Sequence, residues 1–415
     1  MVFKLNILFF TLVDFNTISE RSIYTDLLRE FVKHGHHVYS ISPTERRKHI
    51  RTTLIQEPGS TILKLRIGNI QKTNIFEKGL STIAIEPQFI YAIKKYFYSV
   101  KFDLVLYSTP PITFSKAVKY IKKRDGAVTY LMLKDIFPQN AVDLGMMKKS
   151  GIGKIIYSLF RKKEEQLYEQ SDRIGCMSKA NVQYILNHNP KVRKRHIIAK
   201  KKYGKGMVEV CPNSIEPIDL KINDDERNAL RKKYKLPEDR VVFVYGGNLG
   251  KPQGIDFLLK CLYSQRKNEK VFFLIVGEGT EFYKIDRYIK KYRPENIRLY
   301  NWIPKEEFER LIASCDVGII SLDYRFTIPN FPSRLLSYLQ AKLPVLAITD
   351  PNTDIGKVVE ENGFGWWCKK NSVGEFEEMM TEILKRDRKA MGKKGYLYLR
   401  ECYDVGVVCE KILGK

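Results

Sequence analysis

Short apolar runs alternate with segments of helical periodicity along the whole of this 415-residue chain. Strand-like runs include Lys4–Phe10, Val128–Leu133 and Val241–Tyr245, and helical patterns such as Thr113–Lys123 and Lys154–Gln170 fill the gaps between them. Strands that alternate with helices predict parallel sheets covered by helices on both faces. A chain of this length is too long for one ordinary hydrophobic core, so we expect two domains.

The pattern restarts after Cys211–Ile215, which places a domain boundary near residues 212–218. A charged helical segment, Lys221–Arg240, follows, and Val241–Tyr245 then opens a second series of strands and helices. We therefore predict an α/β fold of two doubly wound, Rossmann-like domains, residues 1–213 and a second domain from residue 214. The carboxyl ends of their strands should face each other across a cleft, where ligands bind in such folds.

The composition indicates anionic partners. Lys and Arg outnumber Asp and Glu by 72 to 47, which gives a net charge of +25. A field of this sign attracts nucleic acid, anionic lipid or phosphorylated small molecules. No nucleic-acid recognition motif accompanies the charge, so no specific nucleic-acid partner is expected. Seven scattered cysteines, never paired at metal-ligand spacing, predict reduced thiols in cores and no bound metal.

Two basic segments favour a membrane surface as partner. Arg161–Lys163 follows the apolar run Ile155–Phe160, and Lys94–Lys95 lies among aromatic residues. Basic and aromatic residues interleaved on helices suit an anionic bilayer interface, although solvated helix faces give the same pattern. No apolar run reaches membrane-spanning length, and no signal peptide is recognised. We expect a cytoplasmic protein, peripheral on the inner face of the plasma membrane. The aromatic residues near Lys94 are Phe89, Tyr91, Tyr96, Phe97 and Tyr98.

Three turns in the second half each follow a predicted strand. The first, Gly246–Gly254, combines glycines that let backbone approach phosphate oxygens with the charge of Lys251. In the second, Gly277 and Glu278 form a tight turn whose carboxylate is a candidate acceptor for ligand hydroxyls. In the third, Trp302 and the backbone of Ile303 are candidates to bind a flat base. Each turn also has a purely structural interpretation, since glycines shape many strand-to-helix turns and a strand-end Trp is often packed.

The stretch Asn330–Ala347 is the most informative local motif. Pro332 closes a loop, Ser333 is placed to cap a helix, and Arg334 lies in its first turn. Free N–H groups at a helix start, together with a fixed cation, can bind an anion such as a diphosphate. A capped helix with a surface arginine is the alternative interpretation.

In this order and spacing, these turns and the Asn330–Ala347 stretch resemble the retaining GT-B glycosyltransferases of family 4. Leu133–Pro138, with Asn140–Gly145, resembles the first-domain cleft loop of the branch that makes bacterial surface polysaccharides, including transferases for fucosamine-type sugars. Four further motifs match the same family: Ser171–Ser178, Pro212–Ile215, Asn362–Trp366 and Met391–Gly392.

The resemblance implies a hexosyl- or N-acetylhexosaminyl-type transferase that acts with retention in capsule, O-antigen or exopolysaccharide biosynthesis. Its donor would be a nucleotide-sugar, most often UDP-linked, held by residues 214–395, and its acceptor a polyprenyl-linked glycan on residues 1–213. A C-terminal helix within 396–415 would cross back to the first domain. No metal or other cofactor is expected, because cations and the helix start neutralise the leaving diphosphate in this family.

By resemblance, Arg334 and Lys251 hold the diphosphate, Ile303 meets the base, and Asp135 positions the acceptor or acts as a general base. The remaining donor-binding candidates are Gly247, Asn248, Leu249, Gly250, Gln253, Gly277, Glu278, Trp302, Ser333 and Ser337.

The chain departs from the family pattern in places. The family's acidic pair would fall at Pro329 and Ser337, and the Arg and Lys of its glycine loop appear as Asn248 and Gln253. Its N-terminal Gly-Gly turn is replaced by Asp14–Arg21. These departures keep one alternative open, a catalytically silent homologue that only binds. A second alternative is another kind of GT-B enzyme, a nucleotide-sugar epimerase, which would need acid and base carboxylates and histidines lining the cleft; the six histidines fall in no such motif.

Overall fold

Two sheets, one parallel and one parallel except at an edge hairpin, organise the chain in the computed structural model, which describes residues 4–70, 73 and 75–414. One sheet has eight strands and the other has six. Each lies in its own unit: unit 1 comprises the described residues up to Glu216 together with Val405–Gly414, and unit 2 comprises Pro217–Asp404. The unit boundaries thus fall after Glu216 and Asp404, where the sequence predicted residues 213 and 395.

Unit 1 is built on the sheet order β3-β4-β2-β1-β5-β6-β7-β8. All neighbouring pairs are parallel except β3 and β4, which form an antiparallel edge hairpin that the sequence analysis missed. The strands are β1 Asn6–Phe10, β2 His37–Glu45, β3 Thr53–Glu57, β4 Ser60–Ile67, β5 Leu104–Ser108, β6 Val128–Leu133, β7 Arg173–Cys176 and β8 Val208–Val210. The helices are α1 Thr25–Lys33, α2 Ile75–Tyr96, α3 Ser115–Asp125, α4 Gln139–Asp143, α5 Gly151–Gln170, α6 Lys179–His188 and α7 Pro190–Tyr203.

Unit 2 has the strand order β11-β10-β9-β12-β13-β14, and all of its strand pairs are parallel. Its strands are β9 Val241–Gly246, β10 Val271–Val276, β11 Ile297–Tyr300, β12 Val317–Ser321, β13 Val345–Ile348 and β14 Gly365–Cys368. Its helices are α8 Asp224–Lys233, α9 Ile255–Ser264, α10 Phe282–Tyr292, α11 Lys305–Ala313, α12 Arg334–Gln340, α13 Ile355–Glu361, α14 Val373–Lys385 and α15 Arg388–Cys402. The central strands are continuous apolar runs because helices cover both faces of the sheet.

The C-terminal helix differs from its prediction. The sequence suggested one helix from about Tyr396 to Leu413, but α15 ends at Cys402 and a separate helix, α16 Val405–Leu413, follows. The apolar face of α16 joins the core of unit 1 and packs against α1. Arg173 at the start of β7 donates to the carbonyls of Lys411 and Ile412, so it binds the exposed carbonyls at the end of α16. The α16 core residues are Val405, Val408, Cys409 and Ile412.

The charged segment Lys221–Arg240 also forms less helix than predicted. Asn223 begins α8 by accepting a hydrogen bond from the Glu226 N–H through its side chain (2.8 Å). The helix stops at Lys233, and Lys235 has a positive φ of 52° just before Leu236 and Pro237. Proline cannot continue a helix, which explains the shorter element.

All seven cysteines are free thiols, as the sequence predicted, and six of them are buried. In the described part of the chain, no helix combines the length and the apolar character needed to cross a bilayer.

Gly392 allows α15 to pack closely against the backbone that follows α12. A Cβ atom at this position would overlap the carbonyl oxygen of Lys342, just beyond α12. We expect Gly392→Ala to lower the free energy of unfolding by about 1–3 kcal/mol in urea titrations, because backbone must shift to make room. Gly374→Ala on α14 is the control: a Cβ there meets only Ser372 Oγ at 3.6 Å, so the gain in helix propensity should leave stability equal or higher. Equal losses in the two variants would contradict the packing argument.

Candidate functional site

The parallel sheet of unit 2 brings every residue that was predicted to bind the nucleotide-sugar donor to one edge. Successive loops follow the carboxyl ends of β9, β10 and β11, and a longer segment connects β12 to α12. This edge is where ligands bind in doubly wound folds. The residues placed there are Gly247, Asn248, Leu249, Gly250, Lys251, Gln253, Gly277, Glu278, Trp302, Ile303, Ser333, Arg334 and Ser337.

Two glycine loops at this edge are joined backbone to backbone. The Gly247 N–H donates to the Val276 carbonyl (2.9 Å), and the Leu249 N–H donates to the Glu278 carbonyl (2.7 Å). A Cβ at Gly277 would overlap the Gly247 carbonyl oxygen, so only glycine allows this approach. The glycines that the sequence assigned to phosphate contacts therefore also have a structural task.

Two of the residues predicted to bind the nucleotide-sugar donor instead make contacts within the protein. The Leu249 side chain is fully buried in the core of unit 2, and its carbonyl accepts from Glu281 N–H (2.8 Å). The Gln253 Oε1 accepts from the Gly250 N–H (3.1 Å), which closes the turn Lys251–Gln253. The burial of Leu249 corrects the prediction that its side chain faces a ligand, and the Gln253 Oε1 atom already has a partner inside the turn. Gly250 is buried, whereas Lys251 and Asn248 remain exposed.

Arg334 is the cation that the structure directs at the glycine loop. It opens α12, and its guanidinium carbon lies 4.3 Å from the centre of the Tyr245 ring. Its Nη2 atom would be 3.6 Å from a Cβ built on Gly247, which has a φ of 120°. Among the described residues, its Nη1 atom is buried without a hydrogen-bond partner. An unpaired guanidinium nitrogen of this kind is a donor available to an anion.

Ser333 does not cap α12 as predicted. It precedes the helix, but its backbone is already helical (φ −67°, ψ −16°) and its side chain makes no capping hydrogen bond. The helix has seven residues. The position of Arg334 therefore depends on packing further along α12.

That packing comes from Tyr338, which the sequence analysis did not single out. Its hydroxyl accepts from the Gly246 N–H (3.1 Å) at the end of β9 and donates to the Ile319 carbonyl (3.0 Å) in β12. Tyr338 lies one turn after Arg334, on the same side of α12. Burial raises its pKa, so the hydroxyl stays neutral and can both donate and accept.

The other candidates at this edge differ in exposure. The Trp302 side chain is 69% exposed, whereas Ile303 is only 8% exposed and offers mainly its backbone. Glu278 and Ser333 are exposed, and Ser337 is half-buried.

Asp350, which the sequence analysis missed, follows β13 at the same edge. Its Oδ1 atom accepts from the backbone N–H groups of Asn352 and Thr353, and burial raises its pKa to about 6. Only the spacing of a lone Asp after an apolar strand could have indicated it.

The first-domain candidate, Asp135, follows β6 in unit 1. Both of its carboxylate oxygens accept from Asn140 Nδ2, at 2.9 and 2.8 Å, and burial raises its pKa. Thr109 Oγ1 accepts from the backbone N–H groups of Lys134 (3.1 Å) and Asp135 (3.3 Å) and fixes this loop against β5. The carboxylate is therefore held in one orientation, which suits positioning better than proton transfer.

Comparisons with known proteins agree with this architecture. Residues 226–398, which lie within unit 2, match the family described as Glycosyl transferases group 1. The chain is 24% identical over 340 residues to the probable glycosyltransferase WbjE of Pseudomonas aeruginosa, covering 82% of this chain and 80% of that protein. It is 21% identical over 263 residues to WcaI of Escherichia coli K12, a putative colanic acid biosynthesis glycosyl transferase, covering 62% and 60%.

Among solved structures, Anabaena Alr3699/HepE in complex with UDP matches 99% of this chain and 99% of its own at a TM-score of 0.66 and 12% identity. The fold is GT-B. The fold class predicted from the sequence is thereby confirmed. Together with the family match and the curated relatives, it supports a glycosyltransferase; the retaining mechanism, donor and acceptor belong to the proposal below.

In the described ranges, no group of three or more His, Cys, Asp or Glu side chains is arranged to hold a metal ion. The expectation of metal-free chemistry stays a prediction.

The Tyr338 bridge can be tested by removing one oxygen. We expect Tyr338→Phe to cost about 1–3 kcal/mol of unfolding free energy, because the Gly246 N–H and the Ile319 carbonyl would lose a buried partner. Tyr288→Phe is the matched control in the same unit, since the Tyr288 hydroxyl is buried without a partner and its loss should be neutral or stabilising. Urea unfolding of both variants measures the difference. A Tyr338→Phe protein as stable as Tyr288→Phe would show that the bridge does not hold α12.

Proposed function

We propose that this protein transfers a sugar from a UDP-sugar to a lipid-linked glycan, with retention, in the synthesis of a bacterial surface polysaccharide. The observation that carries the proposal is the Arg334 guanidinium, half-buried on the Tyr245 ring and directed at the glycine loop with Nη1 unpaired. The UDP in the Anabaena structure supports a UDP-linked donor, and the name of WcaI supports a role in polysaccharide synthesis.

In the proposed reaction, Arg334 and Lys251 neutralise the departing diphosphate. The bond between the sugar C1 and the β-phosphate oxygen breaks, and the acceptor oxygen forms a new bond to C1 on the same face. The acceptor hydroxyl passes its proton to the leaving phosphate oxygen. Donors fixed in advance, such as a guanidinium packed on an aromatic ring, stabilise developing charge without further reorganisation. No metal or cofactor takes part in this scheme.

Asp135 is proposed to position the acceptor, because Asn140 binds both of its oxygens. The general-base alternative needs one of these oxygens to be released. Trp302, exposed after β11, and the backbone of Ile303 are proposed to bind the uracil ring, and Glu278 and Ser337 to face the sugar or ribose hydroxyls.

A second candidate is a homologue that binds the nucleotide but transfers nothing. Pro329, which is buried, and Ser337 stand where the family has acidic residues, and a serine is too short to bind ribose as a glutamate does. An epimerase needs acid and base side chains beside the sugar, and all six histidines of the chain lie in unit 1, outside the candidate donor edge of unit 2.

The site predicts a large effect of Arg334→Ala. We expect kcat to fall about 100-fold or more, since removal of one preorganised donor costs about 3 kcal/mol, and UDP affinity to fall with it. Arg386→Ala, which removes an exposed arginine paired with Glu382 on α14, is the control and should behave as wild type. UDP titration calorimetry and transfer assays with UDP-sugars measure both effects. Near-wild-type turnover in Arg334→Ala would refute the mechanism, and UDP binding without any turnover in the wild type would favour the silent homologue.

We further propose peripheral binding to anionic membranes through an exposed apolar stripe on α5. Four of its apolar residues lie on one helix face, two of them adjacent and the others three or four positions away, and Ile152 is 80% exposed. Lys154 and Lys162 flank the stripe. Apolar residues framed by lysines suit the interface of an anionic bilayer. The stripe consists of Ile152, Ile155, Ile156 and Leu159.

The second basic segment is less available than predicted. Phe89 and Phe97 are core residues of unit 1, whereas Tyr91 and Tyr98 are exposed beside Lys94 and Lys95. This segment is thus proposed to supply charge and exposed tyrosines and not a continuous apolar face.

The stripe predicts a selective loss of membrane binding. We expect the wild type to float with vesicles containing phosphatidylglycerol but not with phosphatidylcholine alone, and less well in about 1 M salt, where the Debye length is about 3 Å. Ile155→Asp with Leu159→Asp should abolish flotation. Leu397→Asp, which changes an equally exposed leucine of unit 2, should not. Equal flotation on neutral vesicles would remove the electrostatic part of the proposal.

A further inference from the structure

A lysine whose ammonium nitrogen is buried lies at the carboxyl edge of the unit 1 sheet, and no counter-ion contacts it among the described residues. Lys134 directly follows β6, and its Nζ atom is buried with no hydrogen-bond partner in the described part of the chain. Burial of an unpaired ammonium group costs free energy of folding. Such a lysine is therefore expected only where other contacts offset this cost or where its charge has a function.

Within the described ranges, no neighbouring carboxylate pairs with this ammonium. Both carboxylate oxygens of the next residue, Asp135, accept hydrogen bonds from Asn140. The thiols of Cys176 and Cys211, at the ends of the adjacent strands β7 and β8, face Lys134, but burial raises the pKa of both thiols and keeps them neutral. Glu209 in β8, which faces these thiols, is bound by Tyr130 and Arg173.

Two further buried polar atoms at this edge lack partners among the residues that the structure describes. One is Thr113 Oγ1, in the loop between β5 and α3, and the other is Asn213 Oδ1, in the segment after β8. Because β5, β6, β7 and β8 are consecutive parallel strands, their carboxyl ends lie along one edge. Buried polar groups in native proteins are nearly always paired, so a cation and two uncharged polar groups left unpaired along one sheet edge indicate a polar ligand.

We propose that Lys134 is the anchor of an oxyanion-binding subsite in unit 1, which takes a phosphate or carboxylate group of the acceptor. The inference rests on the proposed function for the identity of the acceptor, but not for the binding of the anion. The Thr113 hydroxyl would then donate a hydrogen bond to, or accept one from, a hydroxyl group next to that anion, and the Asn213 Oδ1 atom would accept one.

The subsite should depend on pH. Burial lowers the pKa of Lys134 to about 8, and the facing Cys176 and Cys211 thiols stay neutral through this range. The anion binds the charged lysine, so affinity is greatest well below pH 8 and decreases as the pH rises through about 8.

The test uses the full chain saturated with UDP, so that the proposed site in unit 2 is filled. Inorganic phosphate, pyrophosphate and glucuronate are titrated calorimetrically into wild type, Lys134→Met and the control Lys119→Met, which removes an exposed lysine of α3. We expect the wild type and the control to bind an anion below pH 8, and Lys134→Met to bind it about tenfold more weakly or not at all. Preference for phosphate or pyrophosphate assigns a phosphate-bearing acceptor, and preference for glucuronate assigns an acidic sugar.

A thermal melt without anion separates this role from a structural one. Lys134→Met should melt at the same temperature as wild type or higher, because it removes an unpaired buried charge while keeping the length of the side chain. Equal anion affinity in wild type and Lys134→Met, or a marked drop in melting temperature, would overturn the proposal. Failure of sugar transfer with intact anion binding would refute the proposed function and leave the subsite standing.

Discussion

The Tyr338 hydroxyl is the contact on which the candidate donor site depends. The central strands β9 and β12 pair only at Val317 with Phe243 and at Gly318 with Val244, and they then diverge. Beyond that point the Tyr338 oxygen takes the place of the ladder, joining the Gly246 N–H to the Ile319 carbonyl. A doubly wound sheet must open at its switch point to make room for a ligand, and the open strands would otherwise leave backbone groups unpaired. Glycine at 318 is required because a Cβ there would overlap the tyrosine ring.

This bridge converts a helix of seven residues into a fixed support for Arg334. The tyrosine anchors α12 to both strands, and the guanidinium one turn earlier is pressed onto the Tyr245 ring, whose hydroxyl donates to the Asn248 carbonyl (2.7 Å). Cation, ring and glycine loop thus form one connected unit, so the charge is positioned before any ligand arrives. Preorganisation of this kind is what electrostatic catalysis requires.

The two candidate sites share a feature that the net charge of +25 does not reveal. At the carboxyl edge of each sheet, a buried cationic nitrogen, Nη1 of Arg334 and Nζ of Lys134, lacks a partner among the described residues. Most surface lysines and arginines pair with acids or point to solvent, and such pairs contribute little to stability. An unpaired buried cation costs stability, so its presence is a stronger indication of function than a surface ion pair.

Local sequence signals predicted the scaffold well. Buried parallel strands are continuous apolar runs, so β6 has the predicted bounds, Val128–Leu133. The order of the loops placed Arg334, Gly247 and Trp302 at one edge without any side-chain geometry. Contacts between distant residues were not predictable. Leu249 turned out to be a core residue, Gln253 closes its own turn, and Ser333 does not cap its helix. Tyr338 and Lys134 carried no local signal, because their meaning comes from strands far away in sequence.

Ser337 connects the departure from the family pattern to the unpaired guanidinium. An acidic residue at 337 would lie three positions after Arg334 on α12, a spacing at which opposite charges attract each other along a helix. With serine there, this counter-charge is missing, and Nη1 of Arg334 stays without a partner. The same substitution removes a carboxylate that could bind ribose hydroxyls and strengthens the positive field at the glycine loop. If this chain transfers a sugar from UDP as proposed, its donor recognition should therefore depend more on the diphosphate and less on the ribose than in proteins that keep the acidic residue.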